Sequence, residues 1–191
     1  MTTKNKVIIG LVIVAVVIFS FYSFFKNTYN SLVVLDEGVK AAWAQVETQL
    51  QRRYDLIPNY VETVKGYAKF ERDVLIKVTE ARSRVGSAGT IDQKIEANNQ
   101  LTSALARLMV VVERYPDLKA NQNFIRLQDE LAGTENRIAV ERRRYNEAVQ
   151  VYNVKLRSFP ENMVAGMFGF RQRTFFEAPQ AAKEAPQVKF E

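Results

Sequence analysis

The sequence predicts an all-α protein, an N-terminal transmembrane helix followed by an elongated antiparallel (up-down-up-down) four-helix bundle. Three observations lead there. From Asn121 to Phe159 there is no proline, and Phe124, Leu131, Ile138, Tyr145, Tyr152 and Phe159 recur every seven residues, as on one helix face held against partner helices. The run Val7 to Phe25 carries no charge. Nowhere do apolar and polar residues alternate over the length of a strand.

After a short flank, residues 1–6, the uncharged run 7–25 is read as a membrane anchor. About 19 residues at 1.5 Å each rise roughly 28 Å, close to the hydrocarbon thickness of a bilayer. Phe19, Phe21, Tyr22, Phe24 and Phe25 place aromatic rings at one end, where an interfacial belt belongs. A cleaved signal has a shorter apolar core and a small-x-small site, whereas Phe24-Phe25-Lys26 is bulky, which favours a retained anchor. Lys4, Lys6 and the α-amino group before the run, against Lys26 after it, orient the N-terminus inward and the body outward.

The bundle is predicted over residues 27–159, with helices at about 27–57, 59–85, 91–115 and 121–159. In the first, Leu32, Leu35, Val39, Trp43, Val46, Leu50, Tyr54 and Ile57 advance by steps of three and four, a nearly straight amphipathic helix. Pro58 is expected to end it, Asn59 and Glu62 forming a capping box for the next. That second helix would turn Val61, Val64, Tyr67 or Ala68, Leu75 and Val78 inward. Gly86–Thr90 is a loop, Ile91–Tyr115 the third helix ending at Pro116, and the polar stretch Asp117–Asn123 caps the long fourth helix. Four such helices return Phe159 towards the membrane; if Pro58 only kinks one continuous helix, the parity flips and Phe159 lies far from it.

The segment 160–177 is apolar and aromatic and is expected to pack on the bundle end or on the membrane. Met163, Met167, Phe168, Phe170, Arg171, Arg173, Phe175 and Phe176 are the candidate membrane contacts. The tail 178–191 has two prolines and no hydrophobic period and is predicted disordered.

Composition narrows the chemistry. There is no cysteine and no histidine. Serine triads, Cys–His pairs and histidine-ligated zinc or di-iron sites therefore lack a required part. The adjacent pairs Asp36-Glu37 and Asp129-Glu130 point about 100° apart on a helix and read as solvated faces. Net charge is +6, and Arg142, Arg143 and Arg144 fan too widely for a nucleic-acid patch. Polar residues nevertheless interrupt the long helix near its middle. Arg52, Arg53, Asp55, Glu135, Asn136, Arg137, Glu141 and Arg142 are the candidates for a buried polar network or an interaction surface, with Thr134 and Glu141 on the flank of the seam.

Three blocks, YNSLVVLDEGVKAAWAQVETQLQRRYDLIPNYVETVKGYAKFE (Tyr29–Glu71), YPDLKANQNFIRLQDELAGTENRIAVERRRYNEAVQVYN (Tyr115–Asn153) and FPENMVAGMFGFRQRTFFE (Phe159–Glu177), resemble the LemA family. The resemblance implies a bacterial, membrane-anchored helical bundle and supplies no catalytic residues. The family's second block commonly has a histidine just before its glutamate, where this chain has Phe70 before Glu71. The resulting expectation is a non-enzymatic scaffold or adaptor in the bacterial inner membrane. Its partners would be the bilayer through 7–25 and a second copy or another membrane protein; no cofactor, metal, nucleic acid or small-molecule substrate is expected. A lipid-binding or membrane-remodelling module acting through 161–176 is the alternative. An enzyme working through carboxylates such as Glu135 and Glu141 is a third reading.

Overall fold

The computed structural model describes residues 3–66 and 71–177. Among them are six helices and no strand: α1 (Thr3–Lys65), α2 (Arg72–Ser87), α3 (Ile91–Val112), α4 (Pro116–Lys119), α5 (Gln122–Arg157) and α6 (Glu161–Phe168). Residues 170–177 follow without helix. Tyr67, Ala68 and Phe70, and the tail 178–191, lie outside the described residues.

The break expected at Pro58 does not occur, and α1 continues to Lys65. The apolar stripe explains why: beyond Ile57 it continues at Val61 and Val64, all three buried, so packing holds both sides of the proline in one helical phase. Pro58 has no N–H, which leaves the carbonyl of Tyr54 without its helical donor. Arg82 of α2 fills the place, its Nε donating to Tyr54 O at 3.2 Å while the guanidinium lies 3.9 Å from the centre of the Tyr54 ring. Asn59 and Glu62 consequently cap nothing. Asn59 O accepts from Thr63 Oγ1, and Glu62 pairs with Lys65.

A capping box forms instead at Thr90. Its Oγ1 accepts from Gln93 N, and Gln93 Oε1 accepts from Thr90 N, closing the first turn of α3. Asn121 starts α5 by accepting from the backbone of Asn123 and Phe124. Part of the polar connection before it is not loop but the single turn α4, with Pro116 at its start and Leu118 fully buried. Leu118 is the one apolar residue of that turn, and its burial fixes the connection to the core.

The chain divides into two compact units, Met1–Ala42 with Glu147–Arg173, and Trp43–Asn146 with Thr174–Glu191. In the first, Val164 and Ala165 of α6 bury against Leu32 of α1, with Phe25, Leu156 and Phe170 around them. Towards the N-terminus, α1 is uncovered: the large apolar residues from Ile8 to Tyr22 are exposed, Phe19 by 70%. This is one helix long and apolar enough to cross a membrane. Phe159 leaves the heptad seam, because α5 ends at Arg157 and its helical phase ends with it; the ring is 81% exposed.

In the second unit, Ile57, Tyr60, Val61 and Val64 of α1 share a core with α2 (Leu75, Val78, Ala81), α3 (Leu101, Leu108, Val112), Leu118 and Phe124. Paired side chains give the helix directions. Glu47, Arg53 and Tyr60 meet Lys94, Asn98 and Met109 in ascending order, so α3 runs with α1. Trp43, Arg53 and Tyr60 meet Tyr145, Glu135 and Phe124 in descending order, so α5 runs against it. Gly86 lies where α2 passes Tyr54; a Cβ there would come within 3.1 Å of the tyrosine hydroxyl.

The account of Pro58 is testable by a double-mutant cycle. Arg82→Met leaves the Tyr54 carbonyl without a donor and is expected to cost about 1–3 kcal/mol. In a Pro58→Ala background the restored N–H replaces that donor, and the same change should cost about 1 kcal/mol less. Urea unfolding followed by the fluorescence of the single tryptophan, Trp43, measures both; equal costs in the two backgrounds would contradict the capping role.

Candidate functional site

The buried charge of the second unit is Arg53, with 3% of its surface exposed. It stands on the apolar stripe of α1, three residues after Leu50 and four before Ile57, so helix geometry turns it inward. Its guanidinium donates to Glu135 Oε2 at 2.7 Å, Thr102 Oγ1 at 2.9 Å and Asn98 Oδ1 at 3.4 Å. One α1 cation thus ties together α3 and α5. Burial pulls the Arg53 pKa below its ordinary value and the Glu135 carboxylate pulls it back up, yet so basic a group stays charged at neutral pH. Beside it opens a cleft of about 300 Å³ with apolar walls from Leu105, Met109 and Leu131. Tyr60 donates its hydroxyl to Met109 Sδ at 3.0 Å at the same cleft, and burial raises its pKa.

Of the predicted polar network, only Arg53 and Glu135 come together. Arg52 is exposed, Asp55 accepts from Gln51, and Asn136 and Arg137 face solvent. Glu141 pairs with Arg144 one turn on, and Arg142 lies 5.8 Å from the Phe176 ring. Thr134 is buried, its hydroxyl satisfied within its own helix by Glu130 O. Asn98 and Thr102 complete the Arg53 cluster and were not among the predicted residues. Among the described residues no group of acidic side chains could hold a metal ion.

The non-helical segment 170–177 is held by a repeated device on α5. In the first unit Tyr152 donates to Arg171 O, and the Asn153 amide both donates to Arg173 O and accepts from Arg173 N. In the second unit Tyr145 donates to Thr174 O, and Asn146 makes the same two bonds to Phe176. The Tyr-Asn pairs are seven residues apart on a helix and their targets three apart on the segment. Phe176 is buried beside Trp43, and Arg173 is engaged by Asp36; these two candidate membrane contacts are therefore structural. Met163, Met167, Phe168, Arg171 and Phe175 remain exposed, and Phe170 is half-buried.

Asp36 is not the solvated residue its sequence neighbourhood suggested. Its side chain is buried, accepts from Arg173 Nε at 3.1 Å and Nη2 at 2.7 Å, and pairs with Lys40 at 3.1 Å. Burial pushes its pKa up, but the hydrogen bonds from Arg173 and Lys40 outweigh burial and hold it below the ordinary carboxylate value.

With this geometry in hand, a family model described as LemA family matches residues 42–190. The chain belongs to the LemA family. Among its relatives, Magnetosome protein MamQ 2 of Paramagnetospirillum magneticum is 26% identical over 90% of this chain and 72% of its own length. Magnetosome protein MamQ of Magnetospirillum gryphiswaldense is 26% identical over 80% of this chain and 66% of its own. Protein LemA of Metamycoplasma hominis is 26% identical over 84% and 74%. The matched span takes in Arg53, Glu135 and the segment 170–177, so this LemA-family chain carries its buried cluster and its fastened segment within the family region.

Two outcomes check the site. Glu135→Ala strands the buried Arg53 cation and should cost about 3 kcal/mol, whereas Arg53→Met with Glu135→Leu, which removes both charges, should cost clearly less; urea unfolding of the three chains reads this. For Asp36 the folded pKa is depressed, so its stabilisation is full above the unfolded value, near pH 4, and is lost as pH falls through the folded value. The stability difference between the natural chain and Asp36→Asn should therefore be largest at neutral pH and shrink below pH ~4.

Proposed function

We propose that this LemA-family protein is a single-pass, membrane-anchored, non-enzymatic scaffold or adaptor that works by contact with other molecules. The supporting observation is that an uncovered apolar helix and a packed body share one helix, α1. An apolar surface of this length suits a lipid environment, since water would leave it hydrated. The body beyond it we read as an up-down-up-down four-helix bundle of α1, α2, α3 and α5, for which the ascending and descending side-chain pairs are the support. The Arg53 cluster suits a structural role: its cation, carboxylate and hydroxyl are engaged with one another across three helices.

The N-terminus lies in the cytoplasm and the body outside the bacterial inner membrane, following Lys4 and Lys6. The partner is a second copy or another membrane protein. Proteinase added to spheroplasts should digest the body, and in-cell crosslinking should yield discrete adducts of the full-length chain. A body protected in intact spheroplasts would reverse the orientation. A chain that stays monomeric in detergent and yields no adduct would contradict the scaffold.

A further inference from the structure

The first unit leaves one apolar face of α6 without protein cover. Val164 and Ala165 turn towards Leu32 of α1, while Met163 and Met167, four residues apart, share the outward side; Phe159, before the helix, and Phe168, one turn beyond Val164, are exposed beside them. These four side chains are exposed by 58%, 70%, 81% and 56%. Gly166 lies on the same side, where an added Cβ would meet nothing within 4 Å. Two exposed methionines and two exposed phenylalanines within ten residues are apolar surface that water alone does not suit.

Its level along α1 says what covers it. The core beneath α6 includes Phe25, the last residue of the uncharged run, and Leu32. Tyr29, four residues beyond Phe25 and therefore about 6 Å along the axis, meets Phe168 in a tilted pair at 4.8 Å and Phe170 edge-on at 5.8 Å between ring centres. The head-group region adds roughly 5–8 Å outside the hydrocarbon on each side. When residues 7–25 span the bilayer, Phe168 thus stands within the head-group layer, and the α6 core at Leu32, about 10 Å from Phe25, at its outer edge. Exposed Lys26, Arg157 and Arg171 belong to the same unit and give it cations suited to anionic lipid. Glu161, the acid at the start of α6, is neutralised by Lys155.

We propose that the outward face of α6, with Met163 and Met167, and the exposed rings of Phe159 and Phe168 beside it, rest in the head-group and upper acyl layer of the same membrane that α1 crosses, as a second and peripheral lipid contact. This contact rests on the anchor reading and adds to it. It fixes the rotation and tilt of α1 at the surface, since a lone span turns freely about its axis whereas a span with a lateral foot does not.

The chain has no cysteine, so single labels can be introduced cleanly. Full-length protein carrying Met167→Cys, Met163→Cys, Ile13→Cys or, as the aqueous reference, Asn136→Cys is labelled with an environment-sensitive fluorophore. The chains are reconstituted into vesicles of phosphatidylcholine and phosphatidylglycerol, with and without a lipid nitroxide at the head-group level. Labels at 163 and 167 should emit at shorter wavelength than the label at 136 and be quenched at least about twofold more by the shallow nitroxide. Lipid signatures at 13 with water-like, unquenched emission at 163 and 167 would overturn the α6 contact and leave the anchor standing. A water-like label at 13 would overturn the anchor, and the α6 contact with it. Met163→Asp with Met167→Asp, both at exposed positions, should leave the circular dichroism of the chain unchanged and abolish the quenching of a label at Phe168→Cys. Persistence of that quenching would also count against the contact.

Discussion

In each of the two units the described core includes residues of α1. Its residues advance by threes and fours from Leu32 to Val64, and each unit takes its share of that one stripe: Leu32 and Asp36 in the first, Trp43, Val46, Leu50, Arg53, Ile57 and Val64 in the second. From Leu32 to Ile57 the steps alternate four and three, the heptad spacing near 3.5 residues per turn of a helix face held against partner helices. The constraint is strong enough to carry the helix past Pro58, with Arg82 supplying the hydrogen bond that proline removes. The same helix, ahead of the stripe, is apolar on all sides.

Upon that stripe the protein places two charges, and each is answered by a different part of the chain. Arg53 is matched by Glu135, Thr102 and Asn98 from α5 and α3. Asp36 is matched by Arg173 from the segment after α6 and by Lys40 from its own helix. Buried ions add little net stability when both partners are present, but they exclude registers in which a partner is missing. In such an arrangement apolar side chains supply the driving force and the charges select among the packings that would satisfy it. The Tyr-Asn pairs of α5 do similar work for residues 170–177, reading backbone groups and leaving side chains such as Phe175 outward.

Much of this was legible in the residues. The all-helical class, the apolar run and the seam at Phe124, Ile138, Tyr145 and Tyr152 were readable from composition and period, and Arg53 and Glu135 stood among the candidates for a buried network without being paired; the loop expected at Gly86–Thr90 is shorter, α2 running on to Ser87. The errors have equally physical origins. Pro58 was read by its local penalty, whereas Val61 and Val64 on the far side keep the stripe in phase. Choosing Leu35 and Tyr54 for the stripe displaced Asp36 and Arg53, which stand on it at the same three-and-four spacing and are the more buried of the alternatives. Asn146, Asn153 and the hydroxyls of Tyr145 and Tyr152 were invisible because their partners are backbone atoms about 20 to 30 residues away; the YN repeat at heptad spacing was the available clue.

The central claim is that one uninterrupted helix passes from lipid into the packed body. Spin labels at single cysteines from Ile13 to Val39, in the full-length chain in bilayers, test it through collision with oxygen and with a water-soluble nickel chelate. The account predicts oxygen-rich, nickel-poor positions up to about Phe25. From there it predicts a helical period with minima for both reagents at Thr28, Leu32 and Val39, the buried positions. Loss of that period between Lys26 and Ser31, or nickel access throughout residues 13–25, would contradict it.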